Sequence, residues 1–475
     1  MKYFLISIFS SLIYWNNIFA QPDFYKKEYT PEQIQEDFQT YKEVLSSLHP
    51  SLYWHTSKQA LDSIWNLTES QLNQSLSKQE YFYLLSLATT KINCGHTGTN
   101  ANLDKAFDQY VPLVFRYLGN ELYLHRDLTT QNEPMKIIQS INGHSVEEIL
   151  QSATHLQGTD GYISSPKPLF FNNPYRFSYR YQLLYDEPNY KIQFEDGSSI
   201  LRNPISEDSL KKLYPFRINP LLEQDINSDT KIAKLTINTF DKYSYKSQKL
   251  KYKKAIKAFF KEVKAAKVSH LVIDLRNNGG GEDNYASFLY RYLTDQSFQY
   301  YESMETMPLP YPEEVREKVY LPVEVSNVLL RKFFIKKKGD RYFVKATPRT
   351  KGLRMQRPNA DAFLGKVYFL ISGTSFSAAA ELAAFAKAYR PNTFFVGQET
   401  GGAMQGNTSG LSAYLTLKNT NISAYIPLIR YRMNIDNYEL GRGVLPDYPV
   451  VATPNDILTD KDVEMDFVRQ LIRQK

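Results

Sequence analysis

Residues 366–402, KVYFLISGTSFSAAAELAAFAKAYRPNTFFVGQETGG, constrain the fold of this chain more than any other segment. The apolar run at 367–371 is typical of a covered parallel strand. It stops at Gly373, a polar turn follows, and residues 378–389 predict a helix because they are rich in Ala and Leu. We therefore expect a buried strand, a tight turn and a helix at this point.

The turn contains two serines, Ser375 and Ser377. A serine at a helix N-terminus lies where free backbone N–H groups and the helix dipole favour a developing negative charge. Serine is also a favoured helix cap. This segment alone leaves both roles open.

Two further strands with a helix between them are predicted upstream. Apolar and polar residues alternate in KIAKLTINTF at 231–240, and the buried run at 270–281, HLVIDLRNNGGG, ends in three glycines that let backbone N–H groups approach a ligand. The lysine-rich segment 246–267 between them has apolar residues at helical spacing, which indicates a helix with a solvated basic face. These repeated strand and helix units predict a largely parallel sheet covered by helices.

Four motifs occur in a fixed order between residues 231 and 450: IDLRNNGGG, TSFSAAAEL, VGQETGG and GRGVLPDYPV. In this combination the chain resembles the tail-specific, or C-terminal processing, family of serine peptidases. The resemblance implies an α/β fold with a ClpP/crotonase-like parallel-sheet core over 231–460, and a peptide or protein as substrate.

The family pattern assigns roles around the serine turn. The family's serine directly precedes an Ala-Ala pair and stands a few residues before a glutamate, here Glu381, which favours Ser377 as the nucleophile. The resemblance then implies an oxyanion hole formed by the N–H of Ala378 with that of Gly279 or Gly280.

A histidine loop at KINCGHTGTN supplies the candidate base. It resembles the "DGHT" loop of the tricorn-like branch of the family, whose histidine is the general base, and this makes His96 the predicted base for the serine hydroxyl. The chain has Cys94 where those members carry Asp. A nucleophilic Cys94 is disfavoured because it lies only two positions from its own base.

The relay that orients the histidine departs from the family pattern. Tricorn-like members use a serine just before the histidine, and this chain has Gly95 there, with Thr97 as a possible substitute hydroxyl. Glu439 in YELGRGVLPD fits the second partner, a glutamate. The other branch of the family uses a lysine, but none occurs between Lys387 and Lys418.

Residues 1–20 resemble a secretory signal peptide, with Lys2, a short apolar core and Ala20 before Gln21. We expect export to the periplasm or the extracellular space, with no stable membrane insertion after cleavage; a retained anchor is the alternative. Cys94 is the only cysteine, so the exported chain has no internal disulfide.

A helical region is predicted for residues 21–100. Its first helix begins at a capping box formed by Thr30 and Gln33, its second spans 58–76, and its third opens at a box formed by Ser77 and Glu80.

A β-rich domain is predicted at 104–206, with hairpins at LVFRYLGNELYLHRD and YKIQFEDGSSIL. Its segment MKIIQSINGHSVEEIL resembles the PDZ-type domain of the family, which handles a chain terminus by strand addition. Residues 297–364 are dotted with proline and charge, and we interpret them as an insertion in the core that forms a lid or a substrate wall.

Other function classes are less well supported. The formal charge of +7, or +6 without Lys2, is too small to indicate nucleic-acid binding, and no cofactor or metal site is predicted. An acyl-CoA enzyme of the crotonase type would not need an export signal, the α/β-hydrolase G-x-S-x-G elbow is absent, and NNGGG lacks dinucleotide-binding spacing. A catalytically inactive peptide-binding relative remains the main alternative, favoured by Gly95 and Cys94, and the oligomeric state stays open.

Overall fold

The computed structural model describes residues 27–102, 109–130, 135–185, 187–216 and 219–474. The predicted signal peptide at 1–20 lies outside these ranges. Within them, no helix has both the length and the apolar character needed to cross a membrane.

The N-terminal region contains three helices and three short strands: β1 (Glu28–Tyr29), α1 (Pro31–Leu48), α2 (Lys58–Ser70), β2 (Leu76–Ser77), α3 (Lys78–Thr90) and β3 (Gly98–Asn100). Both predicted capping boxes are present, Thr30 with Gln33 at α1 and Ser77 with Glu80 at α3. The sequence therefore fixes both helix starts through local hydrogen bonds.

The second helix is shorter than predicted, because α2 ends at Ser70. Leu76, the predicted end, instead pairs with Tyr29 in the β1–β2 ladder and is buried there. The apolar character of Leu76 serves a strand contact with a distant residue, and helical spacing could not show this.

The β-rich domain follows, with β4 (Leu113–Leu118), β5 (Glu121–Asp127), β6 (Lys136–Ile141), β7 (His144–Ser145), α4 (Val146–Thr154), α5 (Pro174–Tyr185), β8 (Tyr190–Phe194), β9 (Ser199–Arg202) and α6 (Glu207–Leu213). Both predicted hairpins are confirmed, and Gly119 and Asn120 have the positive φ values, 57° and 76°, that a tight hairpin turn requires. The sheet order is β4-β5-β6-β8-β9, with β7 on β6. Helix α5, which the sequence analysis did not identify, buries Phe177 and Tyr181 in the core of this domain.

The remainder of the chain forms the α/β core, whose elements are β10 (Leu222–Asn227), β11 (Ile232–Ile237), α7 (Lys242–Ser247), α8 (Tyr252–Ala265), β12 (His270–Asp274), α9 (Asp283–Tyr290), β13 (Phe298–Gln299), β14 (Tyr301–Thr306), α10 (Glu313–Arg316), β15 (Val319–Tyr320), α11 (Val323–Ser326), α12 (Val328–Phe334), β16 (Ile335–Lys338), β17 (Arg341–Val344), β18 (Met355–Gln356), β19 (Lys366–Ile371), α13 (Ala378–Tyr389), β20 (Thr393–Gly397), β21 (Gly406–Thr416), β22 (Ser423–Met433), β23 (Tyr448–Pro449), α14 (Pro454–Leu458) and α15 (Val463–Arg473).

The first core sheet has the order β10-β11-β12-β19-β20-β23, and every pair in it is parallel except β10 with β11. Helices cover both faces: Leu271 and Ile273 of β12 face the cluster that includes α8, α9 and α13, whereas Val272 faces α15. The predicted parallel sheet covered by helices is confirmed. The carboxyl ends of β12 and β19 therefore lie side by side, and each leads directly into one of the predicted site loops.

A second core sheet has the order β15-β21-β22-β14-β17-β16, and β3 pairs with β22 through residues 98–100 and 423–425. Strands β14 to β17 come from 297–364, so the segment predicted as an insertion supplies partners for the long strands β21 and β22. The β3 pairing holds the histidine loop, which immediately precedes β3, against the core.

Candidate active site

Ser377 lies at the junction between the loop after β19 and helix α13. Its backbone has φ 51° and ψ −129°, a conformation that is costly for a residue with a side chain. Its hydroxyl makes no capping hydrogen bond, and the side chain is partly exposed. Ser377 is therefore held in a strained turn without serving as a helix cap.

Ser375, the other serine of this turn, is structural. It is fully buried, and its hydroxyl donates to the carbonyl of Leu275 at 2.8 Å and accepts from the N–H of Ser372 at 3.1 Å. These bonds join the loop after β19 to the end of β12. The geometry separates two serines that the sequence places in the same turn.

The glycine turn after β12 packs directly on Ser377. A Cβ atom at Gly280 would lie 2.6 Å from Ser377 Cβ and 3.1 Å from the nitrogen of Ala378. The N–H of Gly280 donates to Asn278 Oδ1 at 2.9 Å, so it is already occupied. Gly279 is exposed, and a Cβ there would meet nothing within 4 Å.

Two backbone donors beside the serine are available. Among the residues that the structure describes, the N–H groups of Ala378 and Gly279 have no hydrogen-bond partner. Of the two predicted glycines, the geometry thus favours Gly279 as the donor, whereas Gly280 provides the space that lets the two turns meet. Peptide N–H groups of this kind can stabilise an oxyanion.

His96 is stacked on Phe376, the residue before Ser377, with 4.6 Å between ring centroids and 25° between ring planes. Its Nδ1 is enclosed and has no hydrogen-bond partner among the described residues. Burial lowers the pKa of His96 to about 4, because the charged imidazolium loses its water. The structure therefore places the His96 imidazole against the serine turn, in surroundings that favour its neutral form.

A buried carboxylate that the sequence analysis missed supports the histidine loop. Asp160 Oδ1 accepts the N–H of Gly95 at 2.7 Å, and the N–H of Gly161 donates to the carbonyl of Asn93 at 2.9 Å. Burial raises the pKa of Asp160 to about 7. An acidic residue beside a glycine is a weak sequence signal, and nothing local to GTDGY points to a partner 65 positions away.

The predicted orienting groups are placed differently. Glu439 is exposed, its backbone carbonyl accepts the N–H of Arg442 at 3.2 Å, and its carboxylate has no hydrogen bond to His96 within the described ranges. The hydroxyl of Thr97 is shared with His49 Nε2 at 2.9 Å. Cys94 is buried, and burial raises the pKa of its thiol to about 12, which makes it a poor nucleophile.

Glu381, used above as a family marker, is buried on the first turn of α13. Its carboxylate accepts the hydroxyl of Tyr301 at 2.5 Å and the side-chain N–H of Asn407 at 2.8 Å. Burial raises the pKa of Glu381 to about 7. These bonds connect the serine helix to strands β14 and β21, so the second sheet fixes the position of α13.

Other chemistry has little support at this site. Lys387, on α13, forms an ion pair with Asp447, away from the serine turn. In the part of the chain that the structure describes, no group of three or more His, Cys, Asp or Glu side chains could hold a metal ion. The site brings together a serine hydroxyl, an imidazole and two peptide N–H groups that have no partner among the described residues, and groups of these kinds can perform acyl transfer.

Comparisons with known proteins give a family match for part of the chain and a likeness of fold for nearly all of it. Residues 231–450 match peptidase family S41. A search of curated proteins finds no match. The structure of mature CPAF matches with a TM-score of 0.60 at 15% identity, and the match covers 94% of this chain and 98% of that chain. The complex of mature CPAF with lactacystin matches with a TM-score of 0.60 at 15% identity, and the match covers 94% of this chain and 99% of that chain. The photosystem II D1 C-terminal processing protease has a TM-score of 0.40 at 12% identity, covering 88% of this chain and 93% of that chain.

The likeness to CPAF shows a shared fold across nearly the whole chain, including the helical and β-rich regions that precede the S41 segment. The S41 match itself spans both site loops, from the glycine turn to Ser377 and Glu439. Residues 231–450 therefore belong to peptidase family S41, and the chain is a serine-type peptidase.

Proposed function

We propose that the chain is an exported endopeptidase or carboxy-terminal processing peptidase in which Ser377 is the nucleophile and His96 the general base. The observation that carries this proposal is the junction at Phe376 and Ser377. The His96 imidazole stacks on Phe376, and Ser377 carries a partly exposed hydroxyl on a strained backbone. The N–H of Ala378, the next residue, has no hydrogen-bond partner among the described residues.

Acylation follows from this arrangement. His96 takes the hydroxyl proton as Ser377 Oγ forms a bond to the peptide carbonyl carbon, and the carbonyl electron pair moves onto the oxygen. The N–H groups of Ala378 and Gly279 stabilise that oxyanion. Its collapse breaks the C–N bond, and His96 returns the proton to the leaving amine.

Deacylation repeats these steps with water. His96 takes a proton from the water as the water oxygen forms a bond to the ester carbon. Collapse of the second oxyanion breaks the bond between that carbon and Ser377 Oγ, His96 returns the proton to Oγ, and a carboxylic acid is released. The lowered pKa of His96 keeps the imidazole unprotonated, and hence available as a base, across the neutral range.

Fluorophosphonate labelling tests the nucleophile and the base. We expect the probe to label the unaltered protein, Ser375→Ala and His270→Ala, but not Ser377→Ala, and to label His96→Ala only slowly. A mixed peptide library read by mass should show cleavage in the same three labelled proteins. Labelling or cleavage that survives Ser377→Ala would exclude this assignment.

For the positioning of His96 we propose Asp160, with the predicted Glu439 as the competing candidate. Asp160→Ala removes the acceptor for Gly95, and we expect kcat to fall by about 10- to 100-fold, because a small displacement of the base is costly. Asp160→Asn retains an acceptor oxygen and should recover most of this loss. Glu439→Gln should have little effect, and a large effect would restore Glu439 as the orienting residue.

The main alternative is an inactive peptide-binding relative. The absence of a hydroxyl at Gly95 favours it, whereas the retained strain at Ser377 disfavours it, since strain at a backbone position is costly unless it serves a purpose. The labelling experiment separates the two, because the inactive relative would bind peptides without reacting with the probe.

We also propose that the region at 104–206 is PDZ-like and receives a substrate chain end. Its sheet ends in strands β4 and β9, and an extended peptide can pair with such an edge strand. Hydrolysis of long peptides should then slow when their C-terminus is amidated. Export is tested by sequencing the mature N-terminus, which we expect to begin at Gln21.

A further inference from the structure

A cavity of about 300 Å³ borders the histidine loop. Its walls come from helices α3 and α5, strands β3 and β22, residues 156–158 and the loop itself, which contributes Gly95 and Thr97. We call this space the rear cavity. It does not include Ser377, Phe376 or the glycine turn, so it is distinct from the site described above.

Two arginines of α5, Arg176 and Arg180, line the rear cavity one helical turn apart. Neither forms an ion pair with an Asp or Glu among the described residues. One nitrogen of Arg180 donates to Gln157 Oε1, and its guanidinium lies 4.8 Å from the ring centroid of Phe170. Desolvation, followed by the neighbouring charge of Arg176, lowers the pKa of Arg180 to about 10.

Arg176 is exposed to solvent, whereas Arg180 is partly buried. A partly buried cation with a second cation beside it and no acidic partner is an unfavourable arrangement. Their guanidinium forks match the two oxygens of a carboxylate. The other walls combine hydroxyls with apolar surface: Ser86 and Thr99 are hydrogen bonded to each other at 2.9 Å, and Phe82 and Leu156 line the same space. A ligand that fits would carry a carboxylate and a small, partly apolar body.

We propose that the rear cavity binds the carboxylate of a small ligand of amino-acid or dipeptide size, held by Arg176 and Arg180. Such a ligand would contact the backbone on both sides of His96, through Gly95 and Thr97. An effect of this ligand on hydrolysis rests on the proposed function. Binding of the ligand to the rear cavity does not depend on the proposed function, because no residue of the serine turn takes part in it.

Binding can be measured in the Ser377→Ala protein, which does not consume the probe. The probes are Ala-Ala with a free carboxylate, Ala-Ala amide and inorganic phosphate, each examined by calorimetry and by thermal shift. We expect free Ala-Ala to bind and to raise the Tm, and the amide to do neither. Because the PDZ-like region is also proposed to receive a free chain end, the arginine substitutions described next are needed to assign the binding signal to the rear cavity.

Substitution of the arginines identifies the site. In the Ser377→Ala background, Arg180→Gln and Arg176→Gln should abolish binding of free Ala-Ala, whereas Arg126→Gln, in the same domain but outside the cavity, should leave it unchanged. Arg180→Gln should also leave the ligand-free Tm equal or higher, because it removes an uncompensated cation. Arg180→Lys retains the charge but not the fork, and should weaken binding by about tenfold.

Several results would overturn the proposal: no binding of free Ala-Ala, equal binding of the acid and the amide, binding of phosphate alone, or binding that persists in both Arg180→Gln and Arg176→Gln. If Arg180→Gln fails to fold, Arg180→Lys and Arg176→Gln decide. Activity of the unaltered protein with saturating Ala-Ala reports the effect on hydrolysis. Failure of the proposed function would appear separately, as cleavage that survives Ser377→Ala.

Discussion

Replacing Gly280 with alanine would test how closely the glycine turn and the serine turn must approach. The added methyl would lie 2.6 Å from Ser377 Cβ, 2.8 Å from the carbonyl oxygen of Phe376 and 3.1 Å from the nitrogen of Ala378. Two of these atoms belong to the backbone and cannot rotate away. The turns must therefore separate, which moves the N–H of Ala378 away from the forming oxyanion.

Two costs follow for Gly280→Ala. The backbone has φ 99°, and placing an alanine at positive φ costs about 1–2 kcal/mol of folding free energy. Loss of one oxyanion donor lowers kcat by about 10²- to 10³-fold, equivalent to about 2.7–4 kcal/mol of transition-state stabilisation. We expect a moderate loss of stability together with a severe loss of turnover.

Gly143→Ala is the matched control. Gly143 has φ 88°, close to that of Gly280, but an added methyl there meets nothing within 4 Å. It should lose similar backbone stability, measured by denaturant unfolding, while peptide hydrolysis and fluorophosphonate labelling stay unchanged. The reasoning is refuted if Gly280→Ala keeps kcat within about threefold of the unaltered protein, far inside the 10²- to 10³-fold range, or if Gly143→Ala loses as much activity.

Three further outcomes are expected. Ser375→Ala should lower the free energy of unfolding by about 1–3 kcal/mol, because it removes the acceptor for the N–H of Ser372 and one of the two donors to the carbonyl of Leu275, while Ser377 still reacts with the probe. Lost labelling at full stability would contradict this. Because burial lowers the pKa of His96 to about 4, the acid limb of the pH profile of kcat/KM should lie well below 6.5, the usual pKa of a histidine side chain. An acid limb at 6.5 would contradict the role of His96 as the base. The pKa of Glu381 rises from 4.5 to about 7 on folding, so the unfolded state loses this proton first and the free energy of unfolding falls as pH rises from about 4.5 to about 7. Glu381→Gln should flatten this part of the profile of Tm against pH. An unchanged profile would contradict the raised pKa of Glu381.

Features set by neighbouring residues could be predicted from the sequence. The starts of α1, α3 and α13, the hairpins of the β-rich domain and the parallel core sheet all follow from capping residues, turn residues and hydrophobic periodicity. The preference for Ser377 over Ser375 comes instead from the resemblance to the peptidase family, because the residues of this segment alone leave the roles of both serines open.

Features set by distant partners could not be predicted from the sequence. Leu76 belongs to a strand because of Tyr29, and residues 297–364 form strands because β21 and β22 offer them edges. The occupied N–H of Gly280 and the carboxylate of Asp160 beside Gly95 depend on contacts that no periodicity encodes. Sequence patterns report which face of an element is apolar, and these contacts depend on which elements meet.

The pairing of β3 with β22 also bears on when the protein becomes active during synthesis. The histidine loop is made early, but the segment at 423–425 that anchors it emerges from the ribosome only after the nucleophile and its helix. Until then β3 lacks its strand partner, and the loop before it is not anchored to the second core sheet. Under the proposed chemistry, late completion of this ladder delays proteolysis until the chain is nearly finished.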